Sequence, residues 1–536
     1  MIPRNLEDEI IRAEDILVKN EYDFSAKYLT LRHLHTVVKT SPETARSETI
    51  LALNGIFHNS AISSQTQSFF LFREAAKVLC FIAVNPIDRP LAEEAYAVLL
   101  NILGTMAGNP HRATAEALGS LPVSILGPEI EARTAKNIPR VNWQEVLEGA
   151  GATGSNPPFF VGRSIVRAVN GDGRLLIVKL ALAEDSPQSL YEESLWLKHL
   201  CSDGYYFPVR FNIPVVIKVR GSYLFRLENR PVSLPEKAKL HPEQYAIGFI
   251  SHRDYFTYPN DHRKEKQLTR EQFKEVILRN AFLFGKLTSW GIVHSAPIPL
   301  FHNRMQGFRR RDNGLYEWQR GGRLDRWLDS CRYPNFGLTG IRDLEHLLPF
   351  KGSSRSLYGH IGTQLLSLCL VVGSYFRNKD RAKVGFDTQG DPVDARDLFD
   401  KQFLKEVIRG IFGSYYHGFV GKEFCGALPV DFDELSARMV DEMGVDRYME
   451  EILRVVDQRE MTDKEFASFL EERGYSEEAA NGFKKGLEEI TIHTGPHLGG
   501  FNQRTSLPEL IESVGSMSAL CILGRYRRGK LVKSET

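Results

Sequence analysis

The sequence predicts an α+β protein: helices alone over residues 1–120, strands from about residue 159, and a mainly helical remainder. Three observations predict this. Apolar residues recur at helical spacing from residue 5 to about 118. A stretch rich in Pro and Gly then interrupts the pattern. Beyond it, apolar runs flank tight-turn signals, and a long amphipathic segment follows over 268–290.

The chain has 536 residues, enough for about three to five domains. Hydrophobic residues make up 42% and charged residues 25%, which excludes a mostly disordered or collagen-like chain. The formal charge of +1 argues against binding nucleic acid through bulk charge, so nucleic acid is not an expected partner. The 6 cysteines form no CxxC pair, as expected of a reduced, cytoplasmic protein without a zinc ribbon. The first residues lack an apolar signal core, and the apolar run around Leu365–Tyr375 is too short to span a bilayer. A soluble protein with no membrane partner is therefore expected.

In the first 120 residues, Asn5 reads as an N-cap before the acids of a first turn. Further helices are expected over 24–40, 42–58, 65–84 and 89–105, set off by Ser41-Pro42 and Asn85-Pro86. Successive helices of this length fit a HEAT-like domain, and a plain helical bundle fits nearly as well. Residues 121–158 read as a linker, ending in the Gly- and Pro-rich run 149–158. A strand is expected over Phe159–Val169, a turn at Asn170–Gly173, and a returning strand over Arg174–Ala181. A helix over 187–201, strands over 209–219 and 222–227, and the helix 268–290 follow. Beyond 355 helices predominate, with a Gly-rich break at 494–500.

This order is that of a two-lobed protein-kinase-like fold, with a smaller lobe over 159–235 and a larger one over 236–430. A helical C-terminal region occupies 431–536. Lys179 lies in the buried-strand pattern Leu-Ile-Val-Lys-Leu, where an ammonium can reach nucleotide phosphates. Glu193 follows on the next helix as its ion-pair partner, with Glu192 an alternative that spacing does not exclude. The segment Phe282–His294 resembles a kinase helix entering its catalytic loop. The loop continues His294-Ser-Ala-Pro-Ile-Pro-Leu-Phe-His-Asn303, placing Ala296 where the catalytic Asp belongs. Alanine cannot accept a proton, so ordinary hydroxyl phosphorylation is impaired. Asn303 offers an amide oxygen to Mg²⁺.

For the metal-binding acid, Asp343 is preferred, with Glu345 expected beside it on one strand face. The alternative, Asn335-Phe-Gly337, offers only an amide. Asn303, Asp343 and Glu345 are thus the expected Mg²⁺ ligands. The triplet His252-Arg-Asp254 mimics a catalytic loop but follows no long helix, and is read as a loop. An insertion over 304–336 is rich in arginine, with Arg304, Arg309, Arg310, Arg311, Arg320, Arg323 and Arg326, suited to phosphate, to a nucleic-acid patch together with Trp318 and Trp327, or to a solvated hairpin. His493 and His497 lack a third zinc ligand at convincing spacing.

At these residues the chain resembles the SidJ-like pseudokinases, a family of kinase-fold glutamylases and AMP-transferases with a bacterial effector as prototype. The resemblance covers about residues 155–430 and rests on Lys179, Glu193, the 294–303 loop and Arg342-Asp-Leu-Glu-His346. It implies ATP and Mg²⁺ as cofactors, with Lys179, Glu193 and Asp343 catalytic and Lys179, His294, Asn303, Arg304 and Arg309 around the nucleotide. It implies a protein substrate with an acceptor glutamate, and action in the cytoplasm or, for a delivered effector, in another cell's cytosol. It also implies a protein activator, although the tail Ile522–Lys530 lacks the Gln and the spacing of a calmodulin-binding IQ helix. The competing readings are an inactive scaffold that binds a partner through its helical domain, and a phosphotransferase with a relocated base.

Overall fold

The computed structural model describes residues 4–377, apart from stretches of which the longest are 124–136 and 319–330, and then residues 401–420, 489–493 and 502–506. These residues form an α+β structure with a mixed seven-stranded sheet.

The N-terminal region comprises α1 (Arg4–Val18), α2 (Phe24–Thr40), α3 (Ser47–His58), the short α4 (Ser60–Ser63), α5 (Ser68–Ala83), α6 (Arg89–Thr105) and α7 (Asn109–Gly119). α1 begins one residue before the expected cap Asn5. Asp23 and Asp88 cap α2 and α6 by accepting the backbone N–H of Ala26 and Leu91. α5 is the hub: Phe72, Ala75, Ala76, Val78 and Leu79 are buried completely, and α2, α3, α6 and α7 pack around it. The helix expected over 42–58 is interrupted. Pro42–Thr44 forms a 3₁₀ turn, Ala45 is extended, and α3 restarts where Arg46 N–H donates to Thr49 Oγ1.

The span expected as a linker contributes structure of its own. β1 (Pro122–Val123), β2 (Arg140–Val141) and α8 (Trp143–Gly149) form there, α8 opening on a reciprocal Asn142–Glu145 capping box. The strand expected over Phe159–Val169 is two strands, β3 (Phe159–Val161) and β4 (Ser164–Val169), paired as a hairpin. Gly162, at φ 57°, adopts the left-handed conformation that lets the chain reverse. β5 (Arg174–Leu180) pairs with β4, and α9 (Pro187–Leu200) follows. The strand expected over 209–219 is reduced to β6 (Val215–Val216); β7 spans Leu224–Leu227.

β8 (Tyr245–His252) is not among the expected strands, yet it lies at the centre between β5 and β7. The triplet His252-Arg-Asp254 is the end of this strand and the turn after it. The sheet runs β2-β7-β8-β5-β4-β3, with β6 also on β8 and only the β2–β7 pair parallel. Side chains alternate between its faces. Leu176, Val178 and Leu180 of β5 share a core with Val146 of α8, whereas Ile177 shares one with Leu190 and Leu197 of α9. Lys179 has the parity of Ile177 and so lies on the α9 side.

α10 (Arg270–Ser289) opens on a Thr269–Gln272 capping box. It leads through Gly291, at φ 76°, into β9 (Ile292–His294). Then come β10 (Phe308–Arg310) paired with β11 (Tyr316–Trp318), the hairpin β12 (Phe336–Gly337) and β13 (Gly340–Ile341), β14 (Leu347–Pro349) paired with β9, and β15 (Gly352–Ser353). α11 (Ser354–Arg377) packs against α7, and β15 pairs with β1, joining the N-terminal helices to this part. α12 (Lys401–Val420) crosses α10 so closely that a Cβ on Gly285 or Gly418 would collide with the opposite backbone. The helical expectation beyond 355 fails at β16 (Glu489–His493) and β17 (Asn502–Ser506), an antiparallel pair. The run of β-branched residues Ile490-Thr-Ile492 favours strand there. Among the described residues no helix is long and apolar enough to cross a membrane.

Candidate functional site

Lys179 is buried on β5, and its Nζ donates to Glu193 Oε2 at 2.7 Å and Asp343 Oδ1 at 2.6 Å, with Glu345 Oε1 at 3.5 Å. Four of the expected site residues therefore meet at one point. Each is brought there by a local feature. Ser186 caps α9 and Pro187 starts it, and its buried stripe Leu190, Glu193, Leu197, Leu200 carries Glu193 inward. Glu192 lies off that stripe, within 3.4 Å of Gln188, which settles the ambiguity left by spacing.

Asp343 and Glu345 do not lie on one strand face, as expected. Asp343 is left-handed (φ 51°, ψ 58°) and Leu344–His346 is a 3₁₀ turn. The sharp bend directs both carboxylates at Lys179. α10 braces the hairpin before it: Asn280 Nδ2 donates to Gly337 O at 3.0 Å and Arg279 Nη2 to Leu338 O at 2.7 Å.

Two residues were missed. Arg163, in the turn between β3 and β4, pairs with both Asp185 and Glu345. Its signal was the Gly162-Arg163 step inside an apolar run, visible only if a turn is placed there. Asn335, in sequence only an imitation of a metal motif, has a different role in the structure. Its Nδ2 donates to Ala296 O at 2.7 Å, and its backbone O accepts from Arg342 N–H at 2.8 Å. It therefore ties the Ala296 loop to the Asp343 hairpin.

His294, expected near the nucleotide, faces the backbone instead. Nε2 donates to Arg342 O at 2.9 Å, and Nδ1 accepts Ala296 N–H at 3.2 Å. That arrangement fixes the neutral Nε2–H tautomer and makes the ring a brace between the two loops. Asn303 and Arg304 lie outside the described residues, as do His497 and the tail Ile522–Lys530. Arg309 is on β10, and only its backbone is described.

Four carboxylates (Asp185, Glu193, Asp343, Glu345) thus face two permanent cations, Lys179 and Arg163. Burial pushes Glu193 up to about 7, with Lys179 opposing and the charges of Glu345 and Asp343 adding to the rise. Burial also works to raise Glu345, but Lys179 and Arg163 outweigh it and hold it below the usual carboxylate range. Lys179 is disfavoured by burial and by Arg163, yet its carboxylate partners raise it above the ordinary lysine value. The net deficit of positive charge suits a divalent cation. Ligand atoms of Asp343, Glu345 and His346 lie within 4.8 Å of one another, and two carboxylates are the hard donors that Mg²⁺ takes.

Comparison of the chain with known protein families gives no matching family, and comparison with curated proteins gives no match.

Proposed function

We propose that the chain is an ATP- and Mg²⁺-dependent transferase on a protein-kinase-like core, which moves AMP onto a protein carboxylate as the first step of protein glutamylation. The observation that carries this reading is the Lys179 ammonium shared by Glu193 and Asp343, 2.7 and 2.6 Å away, with an alanine rather than an acid in the adjoining loop at position 296. The kinase-like arrangement is favoured by the antiparallel run β3-β4-β5-β8-β7, by α9 packed beside it, and by a hairpin leading into Asp343.

Lys179 orients the triphosphate, and Glu193 holds the ammonium in place. Asp343 and Glu345 are the residues that would hold Mg²⁺, which when bound neutralises phosphate oxygens. An acceptor carboxylate oxygen attacks the α-phosphorus. The bond to the β-phosphate oxygen breaks, and pyrophosphate leaves. The amine of glutamate then attacks the acyl carbon and expels AMP, losing one proton as the amide forms. A carboxylate is already ionised near neutral pH, so the first step needs no base at position 296.

ATP with Mg²⁺ is expected to raise the melting temperature by mass action, and Asp343→Ala to abolish the Mg²⁺-dependent part of that rise. An undiminished rise in the variant would remove Asp343 from the metal site.

A further inference from the structure

The residue before Asp343 is a buried arginine that makes no ion pair with the carboxylate cluster but packs on aromatic rings. The Arg342 guanidinium is packed against three rings of the segment that follows β8, with its Cζ 4.5 Å from the centroid of Tyr255, 5.2 Å from Phe256 and 4.5 Å from Tyr258. It is only 8% exposed. Its Nε and Nη1 make no hydrogen bond among the described residues. Burial opposes its charge, while Tyr258, Tyr255 and Asp343 favour it and raise its pKa above the ordinary arginine value. A buried cation is costly, and the aromatic faces, a side-chain hydrogen bond with Tyr258 and the Asp343 charge compensate it.

The backbone at this point is held on both sides. Arg342 N–H donates to Asn335 O at 2.8 Å, and Arg342 O accepts from His294 Nε2 at 2.9 Å. The next residue, Asp343, is left-handed, which costs an L-residue about 1 kcal/mol or more. Relaxation of Asp343 to ordinary φ would turn its carboxylate off Lys179. The same aromatic segment also grips the hairpin, Thr257 O accepting Leu338 N–H at 3.1 Å.

We infer that Arg342 is a positioning residue: its stack on Tyr255, Phe256 and Tyr258 anchors the loop so that Asp343 is held in metal-binding geometry. This rests on the nucleotide-site reading above. It adds a coupling of the segment after β8 to the metal ligand.

The test is a Mg²⁺ titration of ATP binding, with ATP binding in excess EDTA measured in parallel. Arg342→Ala is expected to raise the half-saturating Mg²⁺ about tenfold or more, the range for loss of a group that orients a metal ligand. Affinity for ATP in EDTA should stay within about twofold, since Lys179 and Glu193 are untouched. Arg342→Lys keeps the charge but loses the plane, and should fall near the alanine variant. Should Arg342→Ala fail to fold, Tyr258→Leu removes one wall of the stack and should shift Mg²⁺ in the same direction by a smaller factor. Unchanged Mg²⁺ dependence in the folded variants would overturn the inference alone. An equal loss with and without Mg²⁺ would also overturn it, because that marks a merely structural role. Failure of the wild-type protein to bind ATP at all would overturn the proposed function, and this inference with it.

Discussion

Two buried glutamates, one in the N-terminal helices and one in the site, have opposite electrostatic fates. Glu74 on α5 lies 3.4 Å from His35, 2.8 Å from Lys77 and 3.4 Å from Arg73. Burial works to raise its pKa, but these partners outweigh it and hold it at about 2. Glu193 on α9 has Lys179 at 2.7 Å, and that ammonium is shared with Asp343 and Glu345. Burial and the neighbouring carboxylates push Glu193 up to about 7. The contrast separates a group that stabilises the fold from a group held against its preference. Surplus negative charge kept in a buried cluster is what an incoming cation would relieve, and such perturbed groups concentrate at functional sites.

The comparison breaks most easily at Lys179. Lys179→Met strands Glu193 and Asp343 without their cation and should cost about 3–5 kcal/mol, read by urea denaturation, unless the carboxylates take up protons. A variant as stable as wild type at pH 8 would show that the cluster is not held by that ammonium.

pH then sharpens the contrast, because the two glutamates act with opposite sign. The folded pKa of Glu74 is depressed, from 4.5 to about 2. Its contribution is present above the unfolded value and is lost as pH falls towards 2; by linkage it is on the order of 3 kcal/mol. Glu74→Gln should flatten that acid limb. The folded pKa of Glu193 is raised, from 4.5 to about 7. The folded state holds the extra proton, so this group makes stability fall as pH rises between those two values. Glu193→Gln should remove that slope. At neutral pH, where the carboxylate is only partly ionised, it should change stability by about 1 kcal/mol. Matching slopes in the two variants would contradict the comparison.

What could be read in the sequence followed the range of the signal. Lys179 in an alternating buried strand and Glu193 on an amphipathic helix are short-range patterns, and they carried both residues to the site. Arg163 was hidden because Gly162 turns the chain inside what looks like one continuous strand, and φ is not written in the residue types around it. β8 is hard to read from sequence because its apolar run ends in His252-Arg-Asp254, a triplet that mimics a catalytic loop. Asn335 could not be placed, since its partner Ala296 lies on the far side of the arginine-rich insertion. Glu345 was rightly grouped with Asp343 but on the wrong geometry, a strand face in place of a left-handed residue and a 3₁₀ turn.

The central claim is that this site transfers AMP and not the γ-phosphoryl group, and radiolabel position tests it directly. The protein is incubated with Mg²⁺ and ATP labelled at either the α- or the γ-phosphorus, with a lysate supplying acceptor proteins, and labelled protein and released pyrophosphate are measured. The account predicts protein label from α-labelled ATP, pyrophosphate in step with it, turnover of the label on adding glutamate, and loss of both signals in Asp343→Ala. Robust serine or threonine labelling from γ-labelled ATP that depends on Asp343, with no label from the α-position, would contradict it.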